Sequence, residues 1–545
     1  MLSRCLGHRA PLLWLVLPLM VGLAAGKVAE FAPVPWLLSG AVLAAVVAVF
    51  ASRSRVYLFT GSVALAMFLA GLASYALHRP RIEAWDQLPP REVRLSLRID
   101  RVFNQQDSRR AGGLGTIIRA DLPVEELAGQ RVYFSLTMGR GESAPVRSSV
   151  LSTMGVLVTL PRNPPTTTFD GYLANAGVNF RLTRARVLAN EKPASAYYRF
   201  CARQAQRFSQ ILGGGIATKR PDLVSVLRAM LLGQQNELNE EQTAIFRQSG
   251  TMHVFSISGL HIAVIATGLQ ALLSLLRLPR MAQFALGLVA LWLYVDITGA
   301  APSAVRAFVM VAVVEIALVL RLPRNPLSAL VASAMIILLV DPLQMFSASF
   351  QMSYGIVAAL LLLGLPLADT LQERCALFRD LPKVTWGWHR SAIDTGWRAL
   401  LSATAIGTAA SLVSAITGIL FFDLFTPGAF LANLWLIPAS SVAIYMGMLS
   451  LIFGLIGWIA ASALANHAAA LVLWGVDASI RRNVDLPGMW YPASFKVNAA
   501  GPLILSLLLI ALMHGYAKNW AGWQRAYWTP FVIVAVALGF GVTYL

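Results

Sequence analysis

The residues best suited to chemistry lie in one stretch, Leu231 to Leu269, which reads LLGQQNELNEEQTAIFRQSGTMHVFSISGLHIAVIATGL. An acidic, polar segment runs into His253, Ser256, Ser258, Gly259 and His261, and then straight into an apolar run. Polar groups inside such a run are costly and ordinarily face a bundle interior or water. Eight residues on a helix amount to an offset of about 80°, so His253 and His261 are expected on neighbouring faces, two turns apart. Three chemistries compete for these residue types. As metal ligands the two histidines have the wrong spacing for one site and no third ligand stands nearby, so no metal is expected. As an intramembrane hydrolase, Ser258 and His261 at i and i+3 can touch, but no acidic orienter or oxyanion motif accompanies them. As pore-lining or helix-packing groups they need nothing more, since small residues such as Ser256, Ser258 and Gly259 permit close helix approach.

Further polar residues interrupt the apolar runs downstream. Arg306 follows Pro302 and Ser303 near one end of a run, where it suits a phosphate contact or a side chain snorkelling to the interface. Ser349, Gln351 and Ser353 fall within about one helix turn, and Asn433 stands five residues before Pro438. Asn433 reads as interhelical glue or as a lumen group. Asp296 and Glu315 are acids within apolar runs, expected to pair with arginines such as Arg306.

The elements that must hold these residues are set by composition. Of 545 residues, 57% are hydrophobic and 13% charged, against about a quarter charged in a soluble domain. The mean hydropathy is +0.64. Apolar runs of about 18 residues or more, long enough to cross a bilayer, recur along the chain. Runs at 11–25, 31–49 and 56–76 come first, and the first is read as a retained helix rather than a signal peptide. Others begin near Val254, Ala282, Ser303, Leu327, Phe346, Leu400, Gly428, Leu455, Pro502 and Trp528, giving about thirteen spans. The net charge of +18 fits either basic cytoplasmic loops or a polyanionic substrate. Cys5, Cys201 and Cys375 are too scattered to suggest a disulfide or zinc framework.

Between the third and fourth runs the chain turns polar and alternating. Candidate strands are Val93–Phe103, Gly115–Leu122, Arg131–Met138, Gly155–Leu160 and Val178–Leu188, separated by turn-rich pieces at 104–113, 139–149 and 161–167. Five short strands suit a small barrel of the OB type, which commonly binds oligonucleotides. Arg94 with Arg98, and Arg184 with Arg186, share strand faces and are candidate nucleic-acid contacts. Phe103, Tyr133, Phe134 and Phe180 are available for stacking. The expected plan is a polytopic α-helical membrane protein with an inserted extracytoplasmic β-barrel. It comprises N-terminal helices (1–78), an OB-like domain (79–195), amphipathic interfacial helices (196–252) and a helical channel domain (253–545). Arg4, Arg9, Arg53, Arg55, Arg277, Arg280, Arg321, Arg324 and the 374–398 loop fall on one side in this count, taken as cytoplasmic. Arg481 and Arg482 fall on the other.

The run HVFSISGLHIAVI resembles the signature of the ComEC-type competence family, inner-membrane DNA-uptake channels. FDGYLANAGV (169–178), TGAAPSAVRAFVM (298–310), DPLQMFSASFQMSYG (341–355) and PGAFLANLWLIP (427–438) resemble further segments of that family, in the family's order. The resemblance implies an OB-like domain between spans, followed by a competence domain that passes one DNA strand to the cytosol. Under it His253, Ser256, Ser258, His261, Arg306, Ser349, Gln351 and Asn433 are the channel-lining candidates. The implied partners are single-stranded DNA, a periplasmic DNA receptor, membrane lipid, and a cytosolic motor or single-strand-binding proteins. Many members end in a metallo-β-lactamase-like domain. No HxHxDH-type cluster or Walker A motif occurs in this sequence, so neither nuclease nor ATPase activity is expected, and no cofactor. A small-solute secondary transporter and a Ser258/His261 hydrolase remain the alternatives.

Overall fold

The structure, a computed structural model, describes residues 10–29, 32–51, 56–79, 89–103, 109–121, 125–139, 144–161, 164–322, 325–379, 386–520 and 527–544. Arg4, Cys5, Arg9, Arg53, Arg55 and Arg324, and parts of the expected turns and of the 374–398 loop, lie outside the described residues.

The chain is a multi-pass helical membrane protein carrying a closed five-stranded barrel, as its composition requires. Among the described residues ten helices are long and apolar enough to cross a membrane. Three shorter apolar helices stand where further spans are expected, at Leu13–Val28, Pro326–Val340 and Trp528–Phe540. The N-terminal helices α1 (Leu13–Val28), α2 (Val34–Ala51) and α3 (Val56–His78) pack on one another. The crossing of α1 and α3 depends on Gly22 and Gly71. A Cβ on Gly71 would meet the Leu19 carbonyl and the Gly22 Cα, so the two backbones touch.

The barrel is built from β1 (Arg91–Phe103), β2 (Arg110–Ala120), β3 (Arg131–Thr137), β4 (Val150–Thr159) and β5 (Phe180–Lys192), in the closed order β1-β2-β3-β5-β4. The β3–β5 pair is parallel and the other pairs antiparallel. Alternation sends Leu95, Leu97, Ile99, Ile117, Val132, Phe134, Leu136 and Leu182 inward to form the core, each contributing about 1.5–3 kcal/mol by burial. The glycines at 112–115, partly read as a turn, lie within β2. A Cβ at Gly113 would strike the Phe134 ring and the Arg101 carbonyl, so glycine there makes room for the core. A short helix α4 (Phe169–Asn175), capped by the Thr168 hydroxyl, occupies the connection between β4 and β5.

The remaining helices are α5 (Ala196–Gly213), α6 (Pro221–Leu232), α7 (Glu240–Gln248), α8 (Gly259–Leu275), α9 (Arg280–Ile297), α10 (Pro302–Val319), α11 (Pro326–Val340), α12 (Ala348–Arg374), α13 (Trp388–Phe422), α14 (Gly428–Ile456), α15 (Ile459–Asp485), α16 (Ala500–Ala517) and α17 (Trp528–Phe540). Whereas an interfacial position was expected for the 196–252 region, α6 is buried nearly all round, from Leu223 to Leu232. Its Asp222 and Arg228 are ion-paired with Arg220 and Glu237, and the apolar remainder of α6 packs within one core cluster with residues of α8, α9, α10, α14 and α15. A second cluster joins α1, α11, α12, α13, α16 and α17. Asn466 on α15 ties the end of α5 into the first cluster, donating to the Ile211 and Gly214 carbonyls at 2.8 and 3.0 Å.

One turn of α12, Leu360–Gly364, is a π-helix. Pro366 explains the irregularity, because it has no N–H to give the Leu362 carbonyl four residues earlier. That carbonyl instead accepts from Trp520 Nε1 at 3.0 Å. Trp520 is itself held by Tyr527, with ring planes 5° apart and centroids at 4.7 Å. At one end of the bundle a small sheet, β6 (Leu424–Phe425), β7 (Tyr491–Phe495) and β8 (Val542–Tyr544), staples together the segments that follow α13, α15 and α17.

Candidate functional site

The barrel docks on the end of the bundle where α8, α10, α12 and α14 begin. Thr166 Oγ1 donates to the Leu420 carbonyl at 3.0 Å. Arg131 reaches Asp341 at 3.7 Å, and Lys27 Nζ donates to Asn175 Oδ1 at 2.9 Å. The firmest tie is Arg147, in the β3–β4 connection, whose Nη1 lies 3.0 Å from Asp296 Oδ1 at the close of α9. Tyr197 on α5 donates its hydroxyl to Asp296 Oδ2 at 2.8 Å, and the Arg147 guanidinium lies over the Tyr198 ring at 5.0 Å. Burial, then the hydrogen bond and charge of Asp296, hold the Tyr197 phenol above its ordinary range, so it stays a donor. Burial likewise raises the neighbouring Cys201 thiol. Asp296 is thus partnered by Arg147 and not by Arg306, and Glu315 lies away from both, beside Gln270 and Gln283 at the opposite end of α10.

The His253–His261 segment is not one helix. Residues Met252–Val254 form a single 3-10 turn, and α8 begins only at Gly259, so the facing expected from an eight-residue helical offset does not apply. His253 is exposed, with Nδ1 3.1 Å from the Gly250 carbonyl, and Ser256 donates to the His253 carbonyl at 3.2 Å. Ser258 and His261 form the reciprocal box that caps α8. The Ser258 hydroxyl lies 2.7 Å from His261 Nδ1, which also accepts from the Ser258 N–H at 3.3 Å. The Ser258 N–H bond to Nδ1 belongs to the cap, and the hydroxyl contact is a further side-chain hydrogen bond between the two residues. His261 is fully buried, and its Nε2 has no partner among the described residues.

Hydrogen bonds link this segment to the neighbouring helix starts. Ser303, in the first turn of α10, donates to the Ile257 carbonyl at 2.6 Å. One turn further on, Arg306 Nη2 donates to the Ser349 carbonyl at 2.7 Å and to the Ser349 hydroxyl, joining α10 to α12. Arg306 is only 1% exposed, yet its Nε and Nη1 find no partner among the described residues. Gln351 donates to the Met345 carbonyl at 3.2 Å, and its buried Oε1 has no partner among the described residues. Gly250 lies against Thr426 and Ala429 at the start of α14. Asn433, one turn beyond Ala429, has a buried Oδ1 with no partner among the described residues. Among the described residues no hydrogen bond joins Asn433 or Gln351 to the histidines. The starts of α8, α10 and α12 are therefore linked at one end of the bundle, each with the positive end of its backbone dipole, with the Arg306 guanidinium between α10 and α12.

On the barrel, Arg94 and Arg186 come into one cross-strand row, because both pair with Met154 on β4. Arg98 is tied to Asp100 at 3.2 Å. Arg184 sits in a bulge with φ 51°, which sets it out of step with Arg186. A different surface gathers the rings. Phe103 and Tyr133 stack at 6.3 Å, Phe169 and Tyr172 at 5.9 Å, and Tyr133 meets Phe169 edge-on at 5.1 Å. Phe134 and Phe180, the other rings considered for stacking, are buried in the barrel core. Phe169 and Tyr172, spaced i and i+3 in FDGYLAN, carried the only local sign of this cluster. Arg147 gave none.

The Competence protein family matches residues 230–521, which include every helical candidate residue. ComE operon protein 3 of Bacillus subtilis (strain 168) is 31% identical over 142 residues, 26% of this chain and 18% of that protein. The chain thus aligns with about a fifth of that relative's length. No solved structure matches the chain. With more than half its length matched, the chain belongs to the Competence protein family.

Proposed function

We propose that this protein acts in DNA uptake, passing one strand of incoming DNA across the inner membrane into the cytosol. The observation that carries the reading is Arg306, buried to 1% exposure with two nitrogens unbonded among the described residues, at the bundle end on which a basic barrel docks. A fully buried, half-satisfied guanidinium is costly unless an anion completes it. Phosphate oxygens are suited to it in number and planarity. The linked starts of α8, α10 and α12 add a favourable field for the same charge. In this reading His253, Ser256, His261, Ser349, Gln351 and Asn433 would supply the further polar groups that a hydrated path through hydrocarbon needs.

In this reading the barrel faces the periplasm and receives DNA from a receptor there, with Arg94, Arg98, Arg184 and Arg186 as further phosphate contacts. Arg277, Arg280, Arg321 and Arg374 lie at helix ends opposite the barrel, in agreement with a cytoplasmic far side and a cytoplasmic N-terminus. A cytosolic motor or single-strand-binding proteins would supply the pull. Ser258 and His261 are hydrogen-bonded, but among the described residues no acid orients His261 at Nε2, which disfavours a hydrolase, and the basic barrel favours a polyanion over a small solute.

The test is deletion of the gene in a transformable cell, followed with labelled DNA. Capture at the envelope is expected to persist while protease- and nuclease-protected entry to the cytosol stops. Unchanged cytosolic entry would overturn the proposal.

A further inference from the structure

The barrel carries a surface that the phosphate contacts do not use. Phe103 ends β1, Tyr133 lies in β3, and Phe169 and Tyr172 stand on α4, so four rings scattered through the sequence meet on one outer face. Their centroids are linked at 5.1 to 6.3 Å. Tyr133 is buried as the floor, whereas Phe169 and Tyr172 remain 46% and 39% exposed. Large rings left open beside one another are unusual on a solvated face and mark a contact surface.

The surroundings select the class of ligand. The Arg101 guanidinium lies over the Phe103 ring at 5.2 Å and that of Arg181 over Tyr133 at 6.0 Å. Arg181 is partly neutralised by Asp170 at 2.8 Å, which leaves Arg101 as the principal cation of the patch. The register places Gly112 opposite Phe103, with Ser135 beyond it on β3. Leu114, two residues on, packs into the same cluster as Phe103 and Tyr133, so the rings left open to a flat group are those of Phe169 and Tyr172. Open ring faces beside an arginine fit a chain that alternates planar π-systems with anions, which is a single-stranded polynucleotide. The patch also lies at the rim that meets the bundle, since Thr166, just before α4, bonds to Leu420.

We propose that Phe103, Tyr133, Phe169 and Tyr172, with Arg101, form a base-stacking platform that holds single-stranded DNA at the barrel rim. The proposal rests on the DNA-uptake reading and adds how the strand is held without regard to sequence. Stacking needs exposed bases, so the platform favours a single strand over a duplex of equal charge.

The experiment uses the full chain in lipid nanodiscs. Fluorescence anisotropy follows a labelled oligothymidylate of about 12 nucleotides, and an abasic oligomer of equal charge, across a salt series. Phe169→Ala and Tyr172→Ala are each expected to weaken oligothymidylate binding about five- to a hundred-fold. The same variants should leave the abasic oligomer and the salt slope unchanged. Phe169→Trp should restore binding, and Arg101→Ala should flatten the salt slope. Wild-type binding of oligothymidylate that neither alanine variant weakens overturns the platform and leaves the uptake reading standing. Absence of any oligonucleotide binding by the wild type overturns both. Binding of a neutral oligosaccharide to the same rings, with no preference for DNA, also overturns the platform.

Discussion

Replacing Arg306 by methionine is expected to stabilise the purified chain and, at the same time, to stop DNA entry. The side chain is buried, and among the described residues only its Nη2 is bonded, to the Ser349 carbonyl and hydroxyl. Bonds from a charged donor contribute about 1.5–3 kcal/mol. Against them stand Nε and Nη1, buried without partners. Each orphaned donor costs about 1–3 kcal/mol, and a charged group costs more. The balance favours the apolar variant by about 1–3 kcal/mol, and methionine is flexible enough to fill the space. The assay is thermal unfolding in detergent without nucleic acid, read by a thiol-reactive dye as buried Cys201 becomes accessible. Internalised labelled DNA is measured in parallel in a host lacking the native gene. A higher midpoint with entry lost is the expected pair. Adding phosphate-rich oligomer should raise the wild-type midpoint and leave the methionine variant unmoved. A lower midpoint for the variant, or entry at the wild-type level, would refute the reasoning. Arg306→Lys keeps the charge as a single compact ammonium and should fall between the two.

Other perturbations test the scaffold. Arg147→Ala strands the Asp296 carboxylate, whose side chain is 2% exposed, and should cost about 2 kcal/mol, discounted for the half-exposed arginine. Asp296→Asn should cost less, because an amide oxygen still accepts from Tyr197; thermal shift distinguishes them. Tyr197 has its phenol pKa raised, so the hydroxyl's contribution is fully present below the free phenol value near 10 and is lost as pH rises through the raised value. The stability difference between wild type and Tyr197→Phe should therefore be flat from about pH 6 to pH 10 and shrink above it, as chemical denaturation at each pH will read. Gly71→Val should separate α1 from α3 and cost about 2–3 kcal/mol, because the obstructing atoms are backbone; cross-linking of engineered cysteines across that pair should fall accordingly.

Much of the architecture was legible in the residues because its causes are local. Apolar runs of span length and alternation in the β region both report what each stretch faces, and the strands of the barrel lie within a few residues of the expected ones. The bounds failed where a second element decides the matter. The glycines near 113 look like a turn until Phe134 is placed against them. The segment from His253 to His261 looks like one helix until the Ser258 cap sets its start. At the site, Arg306 stood out as a cation in an apolar run, but its tie to Ser349 spans 43 residues. The partner of Asp296 lies 149 residues away on the barrel, and no spacing rule reaches that far. The aromatic platform depends on strand register, which sequence alternation does not fix.

The indole that dresses the Leu362 carbonyl lies 158 residues further along the chain. During synthesis α12 therefore leaves the ribosome with one peptide oxygen unsatisfied long before Trp520 exists to satisfy it. An unmet carbonyl in hydrocarbon costs several kcal/mol, so this helix is expected to settle only after α16 has entered the bilayer. Assembly of the second core is then tied to completion of the C-terminal spans. A chain halted before Trp520 should leave α12 open to proteases that the finished protein resists.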